Sequence, residues 1–366
     1  MTTVDSAIPS DADETIKVVT DHARRVFTWT YERDRVQLVA LYNKAIGSQW
    51  NSVTDLDWSI EVDPEALVDH TTAGMRLIRA AAEVAGSPIA SWGDKEFTAL
   101  GVEMLKANLS QFMHGEQGAM IVAAKIVETV PWIDAKYYAA TQTMDEARHT
   151  EVFARYLSSK VGDAYPMSPF LEEQITALME DARWDMAYLG MQIVIESLAL
   201  AAFGDMLRRT TEPLLRKLLR YVMADEARHV AFGVLSLGEF YKSLSSAELK
   251  DRQEFLLENT LRSRARSTTP EMWERMGVKV AAVVPALVEA MGITGIDPFS
   301  GFARGFFAKL VPNVRKLGLL EANDGYLRRM WGEAGLLEFE FADDTASDYE
   351  TYDAVAQDRT TAAAGG

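Results

Sequence analysis

Asp145-Glu146-Ala147-Arg148-His149 and Asp225-Glu226-Ala227-Arg228-His229 are one pentapeptide written twice, 80 residues apart. Within each copy Glu and His are three positions apart, which puts both side chains on one face of a helix. A carboxylate and an imidazole placed so can reach one cation. The repeat extends upstream, because Glu116 precedes Glu146 by 30 residues and Glu196 precedes Glu226 by 30. About 14 residues of helix rise about 21 Å, so a chain can leave this level, turn, and return antiparallel over a similar length. Turns near residue 130 and at 209–212 would serve. Four helices then bring Glu116, Glu146, Glu196, Glu226, His149 and His229 to one level of a bundle. A single Glu-x-x-His is common on solvated helix faces; two identical copies with matched upstream glutamates are harder to dismiss.

Working outward, apolar residues recur at three- and four-residue spacing through long stretches, and no period-2 series stands out. The pattern predicts an all-α protein, with helices over about 11–46, 64–85, 94–129, 132–161, 168–209 and 212–242. Shorter ones follow at 246–264, 270–291 and 300–318. Pro131 falls in the first turn of a new helix. Tyr165-Pro166-Met167-Ser168-Pro169 breaks one helix and offers Ser168 as the cap of the next, and Pro213 follows Thr210-Thr211 in the same way. Residues 1–10 read as a flexible N-terminus, 11–338 as a single helical domain, and 339–366 as an acidic, flexible tail with no sustained apolar face.

Composition narrows the chemistry. The 366 residues include no cysteine, which removes disulfides, thiolate zinc and protein-ligated iron–sulfur clusters. A transition metal here must be held by carboxylate and imidazole. A net charge of −17 argues against nucleic acid as a partner, since phosphate binding needs a basic surface. No uninterrupted apolar run suggests a membrane span. The N-terminus lacks the basic-then-apolar pattern of a secretory signal, so a cytoplasmic location is the expectation.

Glu116 and Glu196 carry apolar neighbours at helical spacing: Phe112, Met113, Ala119, Met120 and Ala123 for the first, Leu189, Ala199, Leu200 and Phe203 for the second. An unpaired carboxylate on such a face costs several kcal/mol or takes up a proton, and a metal removes the difficulty. Hard oxygen donors plus imidazole suit iron or manganese. One Glu from each of two helices and Glu-x-x-His from each of two others is the ligand set of ferritin-like di-iron and di-manganese carboxylate proteins.

On this double motif, about residues 94–242 resemble the ferritin-like di-iron oxygenases and oxidases. These include monooxygenase hydroxylase subunits, acyl-carrier-protein desaturases and ribonucleotide reductase small subunits. The resemblance implies a ferritin-like four-helix core with additional N- and C-terminal helices. It implies two iron ions, or an iron–manganese pair, held by the six residues above. It also implies that Asp145 orients His229 and Asp225 orients His149, each through the imidazole's other N–H. Arg148 and Arg228 could neutralise these aspartates. Gln192, one turn before Glu196, is a candidate polar pocket group.

The implied activity is that of an oxidoreductase, an oxygen-dependent monooxygenase or oxidase. Its partners would be dioxygen, a small organic substrate and an external electron donor, a ferredoxin or reductase, with a homodimer left open. Two alternatives stand beside it. One is a radical or mixed-metal protein like a reductase small subunit, although Phe153 occupies the position where most of those carry Tyr. The other is a ferroxidase without organic substrate. The Thr one turn after the third Glu in related hydroxylases is absent, with Ala199 and Leu200 there. The extra His of arylamine N-oxygenases is replaced by Val222 and Met223. His22, His70 and His114 are expected off the metal-facing side. Phe112, Phe153, Leu189, Leu200 and Phe203 are candidates to line an apolar cavity.

Overall fold

A computed structural model describes residues 19–20, 23–262, 270–297 and 300–343. Among the described residues all regular structure is helical. The expected N-terminal segment 1–10 lies outside them, as do residues 344–366 of the expected tail.

The helices are α1 (Val36–Gly47), α2 (Ala73–Ala82), α3 (Asp94–Thr129), α4 (Ile133–Tyr156), α5 (Pro169–Glu180), α6 (Trp184–Tyr188), α7 (Glu196–Arg209), α8 (Pro213–Phe240), α9 (Ser246–Arg262), α10 (Pro270–Arg275), α11 (Val280–Thr294), α12 (Ser300–Lys316) and α13 (Ala322–Glu333). A π-helical turn, Leu189–Ile195, joins α6 to α7, so Trp184–Arg209 runs as one helix. This helix with α3, α4 and α8 forms the four-helix core.

Local sequence sets where these helices begin and end. Glu96 accepts the backbone N–H of Gly93 (2.8 Å) at the start of α3, half of a capping box. At its end Val130 is extended, as a residue before proline must be, and α3 turns into antiparallel α4. Ser168 caps α5 by accepting from Leu171 N–H, with Pro169 in the first turn. At α8 the cap is Glu212, whose carboxylate accepts from the N–H groups of Leu214 (2.8 Å) and Leu215 (2.6 Å). Close packing then depends on missing side chains at two points. A Cβ on Gly118 would sit 2.4 Å from Ile175 Cδ1, and one on Gly233 would sit 2.4 Å from Gln192 Cβ.

Several expected boundaries are corrected. Within the expected 11–46 helix, residues 19–20 and 23–35 have no regular structure, and helix begins only at Val36. This stretch lies across the α3–α4 turn and satisfies it. Val26 N–H donates to the Glu128 carbonyl (2.8 Å), Thr28 Oγ1 to the Pro131 carbonyl (2.9 Å), and Arg33 pairs with Asp134. The 168–209 stretch breaks at Asp181, whose carboxylate takes the N–H of Arg183 (2.8 Å). Buried Lys125 meanwhile gathers the carbonyls of Met179 (2.5 Å) and Asp181 (2.6 Å). The 64–85 stretch is helical only at Glu65–Leu67 and Ala73–Ala82. The 270–291 stretch is interrupted at Gly277, which has φ +74°. At the C-terminal end, Phe339 and Glu340 are buried, and Glu340 accepts from Arg328 (2.6 and 3.0 Å). The packed structure therefore runs past 338.

Trp184–Arg209 is long and apolar enough to cross a membrane, contrary to the sequence reading, but most of it is buried inside the protein. Its apolar surface is spent on the core. Two apolar clusters lie at opposite ends of the region around Glu146 and Glu226. One contains Phe153, Leu200, Phe203 and Val222. The other contains Tyr138, Tyr188, Leu189, Ile193 and Phe232.

Candidate metal centre

The four core helices bring all six predicted side chains together. Glu116 comes from α3, Glu146 and His149 from α4, Glu196 from α7, and Glu226 and His229 from α8; all are buried. They form two overlapping groups. Glu116, Glu146, His149 and Glu226 make one, and Glu146, Glu196, Glu226 and His229 the other, with donor atoms in each group within 4.8 Å of one another. Glu146 and Glu226 belong to both.

The imidazoles point their Nδ1 atoms inward. His149 Nδ1 lies 3.3 Å from Glu116 Oε2, 3.4 Å from Glu146 Oε2 and 2.9 Å from Glu226 Oε1. His229 Nδ1 lies 3.2 Å from Glu146 Oε1, 3.6 Å from Glu196 Oε1 and 2.9 Å from Glu226 Oε2. Each shared glutamate thus offers one oxygen to each side. An Nδ1 carries at most one proton and cannot satisfy three carboxylate oxygens. Glu146 Oε2 and Glu226 Oε1 accordingly lack a hydrogen-bond partner despite full burial. Orphaned buried oxygens facing inward imidazole nitrogens are what a pair of divalent cations would satisfy.

Electrostatics carry the same message. Burial pushes the carboxyls of Glu116 and Glu196 well above the usual range, and the charge of Glu226 adds to the shift. Burial also opposes the charged imidazoles, yet hydrogen bonds to Asp225 and Glu116 raise His149, and the charges of Glu146 and Glu226 raise His229. Glu146 is held low against burial by His229 and His149.

The outer nitrogens complete a crossed pattern. His149 Nε2 lies 3.0 Å from Asp225 Oδ2, and His229 Nε2 lies 3.4 Å from Asp145 Oδ2. Arg148 donates to both aspartates, at 2.5 Å to Asp145 and 3.1 Å to Asp225. Arg228 pairs with Asp225 on the same helix. Burial opposes the charge of Asp225, but Arg228, His149 and Arg148 hold it well below the usual range.

Three site residues were not singled out from the sequence. Trp50 Nε1 donates to Asp225 Oδ2 (2.8 Å), and its ring lies under the Arg148 guanidinium, 4.6 Å away. Gln49 bridges Asp145 (3.0 Å) and Arg148 (2.7 Å). Both follow α1, which packs across α4 and α8, and no local pattern announces contacts over such sequence separations. Gln142 did leave a signal. It stands one turn before Glu146, as Gln192 stands one turn before Glu196. The two N–H groups of Gln142 Nε2 are shared among Glu146 Oε1 (2.9 Å), Glu196 Oε1 (3.1 Å) and Gln192 Oε1 (3.0 Å).

The five apolar cavity candidates are not brought together. Phe112, Phe153 and Phe203 form a ring cluster with centroids 4.8–5.6 Å apart, joined by Leu200. Leu189 lies in the opposite cluster, because it precedes Leu200 by 11 residues on the same helix, a rise of about 16 Å along the axis. His70 faces Arg79 and Thr98 (3.3 Å each), and His114 the Tyr165 carbonyl (2.8 Å), all away from the centre. His22 lies outside the described residues.

The centre is a buried carboxylate–histidine cluster within a four-helix bundle. Its ligand geometry is one Glu from each of two helices and Glu-x-x-His from each of the other two. No protein-family model and no curated protein matches the chain. Solved structures to which it is similar include an R2-like ligand-binding oxidase with aerobically reconstituted Mn/Fe cofactor. That one has a TM-score of 0.42 at 16% identity, over 87% of this chain and 96% of the other. A variant of an R2-like ligand-binding oxidase, also with aerobically reconstituted Mn/Fe cofactor, gives 0.42 at 17% identity, over 76% and 92%.

Proposed function

We propose that the chain is a non-haem dimetal oxidoreductase that uses dioxygen to oxidise a small organic substrate. The observation that carries this reading is the pair of overlapping donor sets sharing Glu146 and Glu226. Two iron ions, or one iron and one manganese, fit the donors, which are hard oxygens plus imidazole with no thiolate. Glu116 and His149 would complete one position, Glu196 and His229 the other, with Glu146 and Glu226 spanning both. When bound and reduced, the metals supply electrons to dioxygen.

The chain's own residues do the rest. Asp225 and Asp145 fix the orientation of His149 and His229 from behind. Arg148, Arg228, Gln49 and Trp50 in turn hold those aspartates. The apolar clusters at either end keep water from the centre. The ring cluster of Phe112, Phe153 and Phe203 is the face suited to an apolar substrate. Electrons would come from a separate ferredoxin or reductase, since no dinucleotide-binding pattern is present in the sequence.

The test is anaerobic loading of the purified chain with ferrous iron, followed by metal analysis and dioxygen uptake. Two metals per chain and uptake of no more than about one dioxygen per diferrous site are expected, since two ferrous ions supply two electrons. Glu226→Ala and His229→Ala should each lose metal. A chain that takes up no iron or manganese, or variants that keep full metal content, would overturn the proposal.

A further inference from the structure

The two metal positions are built from a repeat, yet their surroundings differ. Under the 80-residue offset the counterparts of Gln142 and Gln192 are Val222 and Phe112. At the His149 end these positions are apolar and lie in or against the apolar cluster that holds Phe153 and Phe203. At the His229 end they are two fully buried amides. The amides bond reciprocally, Gln142 Nε2 to Gln192 Oε1 (3.0 Å) and Gln192 Nε2 to Gln142 Oε1 (2.5 Å).

The carboxylate contacts of this pair all fall on one side. Gln142 touches Glu146 Oε1 and Glu196 Oε1, the oxygens that lie 3.2 and 3.6 Å from His229 Nδ1. It does not bond to Glu146 Oε2, which faces His149 and is left without a partner. Two further features set the pair in place. Gln192 sits inside the π turn Leu189–Ile195, an irregularity frequent at functional sites. Gly233, one turn after His229, leaves room for it, since a Cβ there would overlap Gln192 Cβ.

We propose that the Gln142–Gln192 amide pair makes the two metal positions unequal. It holds Glu146 Oε1 and Glu196 Oε1 ready, so that the His229 position binds the first metal and the His149 position the second. This rests on the dimetal reading above. The physical basis is preorganisation: two carboxylate oxygens fixed by donors lose less freedom when a cation arrives. Partners of ligands matter at the level of 10–100-fold in metal affinity. The glutamines are positioning residues and leave the metal to the carboxylates.

The experiment is anaerobic titration of the metal-free full chain with Mn(II), counting bound ion by electron paramagnetic resonance. The wild type should bind two Mn(II) in two resolved steps. Glu196→Ala should delete the tighter step and Glu116→Ala the weaker one, which identifies each step with a position. Gln142→Met keeps side-chain volume and removes the donors. It should weaken the tighter step by about 10–100-fold, alter the line shape of the first bound ion, and leave the weaker step in place. Gln192→Met should act in the same direction through the loss of Gln142's partner. Thermal unfolding of the metal-free variants shows whether they fold. If Gln142→Met and Gln192→Met move both steps equally, or neither, the amide pair does not set the inequality. A wild type that binds no Mn(II) or Fe(II) would instead sink the dimetal reading itself.

Discussion

Replacing Asp225 by Asn keeps the side chain's shape and removes a charge on which several neighbours converge. The carboxylate is buried and faces four donors: Trp50 Nε1 (2.8 Å), His149 Nε2 (3.0 Å), Arg148 (3.1 Å) and Arg228. Breaking a buried ion pair by neutralising one partner costs about 3–5 kcal/mol. Arg148 keeps Asp145 and Gln49, which places the cost near the lower end, about 3 kcal/mol. For a chain of this size that is a fall of about 6 °C in melting temperature, at about 2 °C per kcal/mol. The same change leaves only a neutral amide oxygen behind the His149 ring and so loosens it, while His229 keeps Asp145. Metal affinity should therefore drop about 10–100-fold at the His149 position and stay near wild type at the His229 position. Thermal unfolding of metal-free protein reads the first effect and stepwise Mn(II) titration the second. An Asp225→Asn chain with an unchanged melting temperature, or one that weakens both positions alike, would refute the crossed Asp–His arrangement as the source of ligand orientation.

The same geometry sets other outcomes. Gly233→Ala puts a methyl 2.4 Å from Gln192 Cβ and 3.2 Å from Ile193 Cδ1; it should destabilise by about 1–3 kcal/mol, and wild-type stability in a denaturant titration would show that the α8–π-turn contact is slack. Trp50→Phe removes a donor to a charged carboxylate and should cost about 1.5–3 kcal/mol; no loss of stability would mean the arginines alone hold Asp225. Metal loading should raise stability, by about 2.7 kcal/mol at a free ion concentration 100 times the dissociation constant. It should also release protons to a pH indicator, because imidazole and carboxylate bind metal deprotonated. Loading without a thermal shift, or with no proton release, would count against a site made of these groups.

The repeat of Glu116, Glu146, His149 in Glu196, Glu226, His229 was legible because helix geometry is local. A three-residue spacing fixes a shared face, and a 30-residue spacing fixes a return to the same level, whatever surrounds them. Ser168 as a cap and Pro213 in a first turn were legible for the same reason. Residues 23–35 are not helical because the α3–α4 turn, about 100 residues away in sequence, takes the Val26 backbone N–H and the Thr28 and Arg33 side chains as its partners. The break at Asp181 likewise depends partly on Lys125 of α3.

What the sequence determined alone is the set of six residues and the helical class, since periodicity and spacing are properties of the chain by itself. Only the tertiary structure decided how that set is held. It sent Trp50 and Gln49 to the aspartates behind the histidines. It also paired Gln142 with Gln192 at one end of the centre. Each of these depends on which helices meet and at what distance, and burial of apolar surface rather than any local motif sets that meeting. The double pentapeptide therefore names the ligands, and the packing around it distinguishes their two ends.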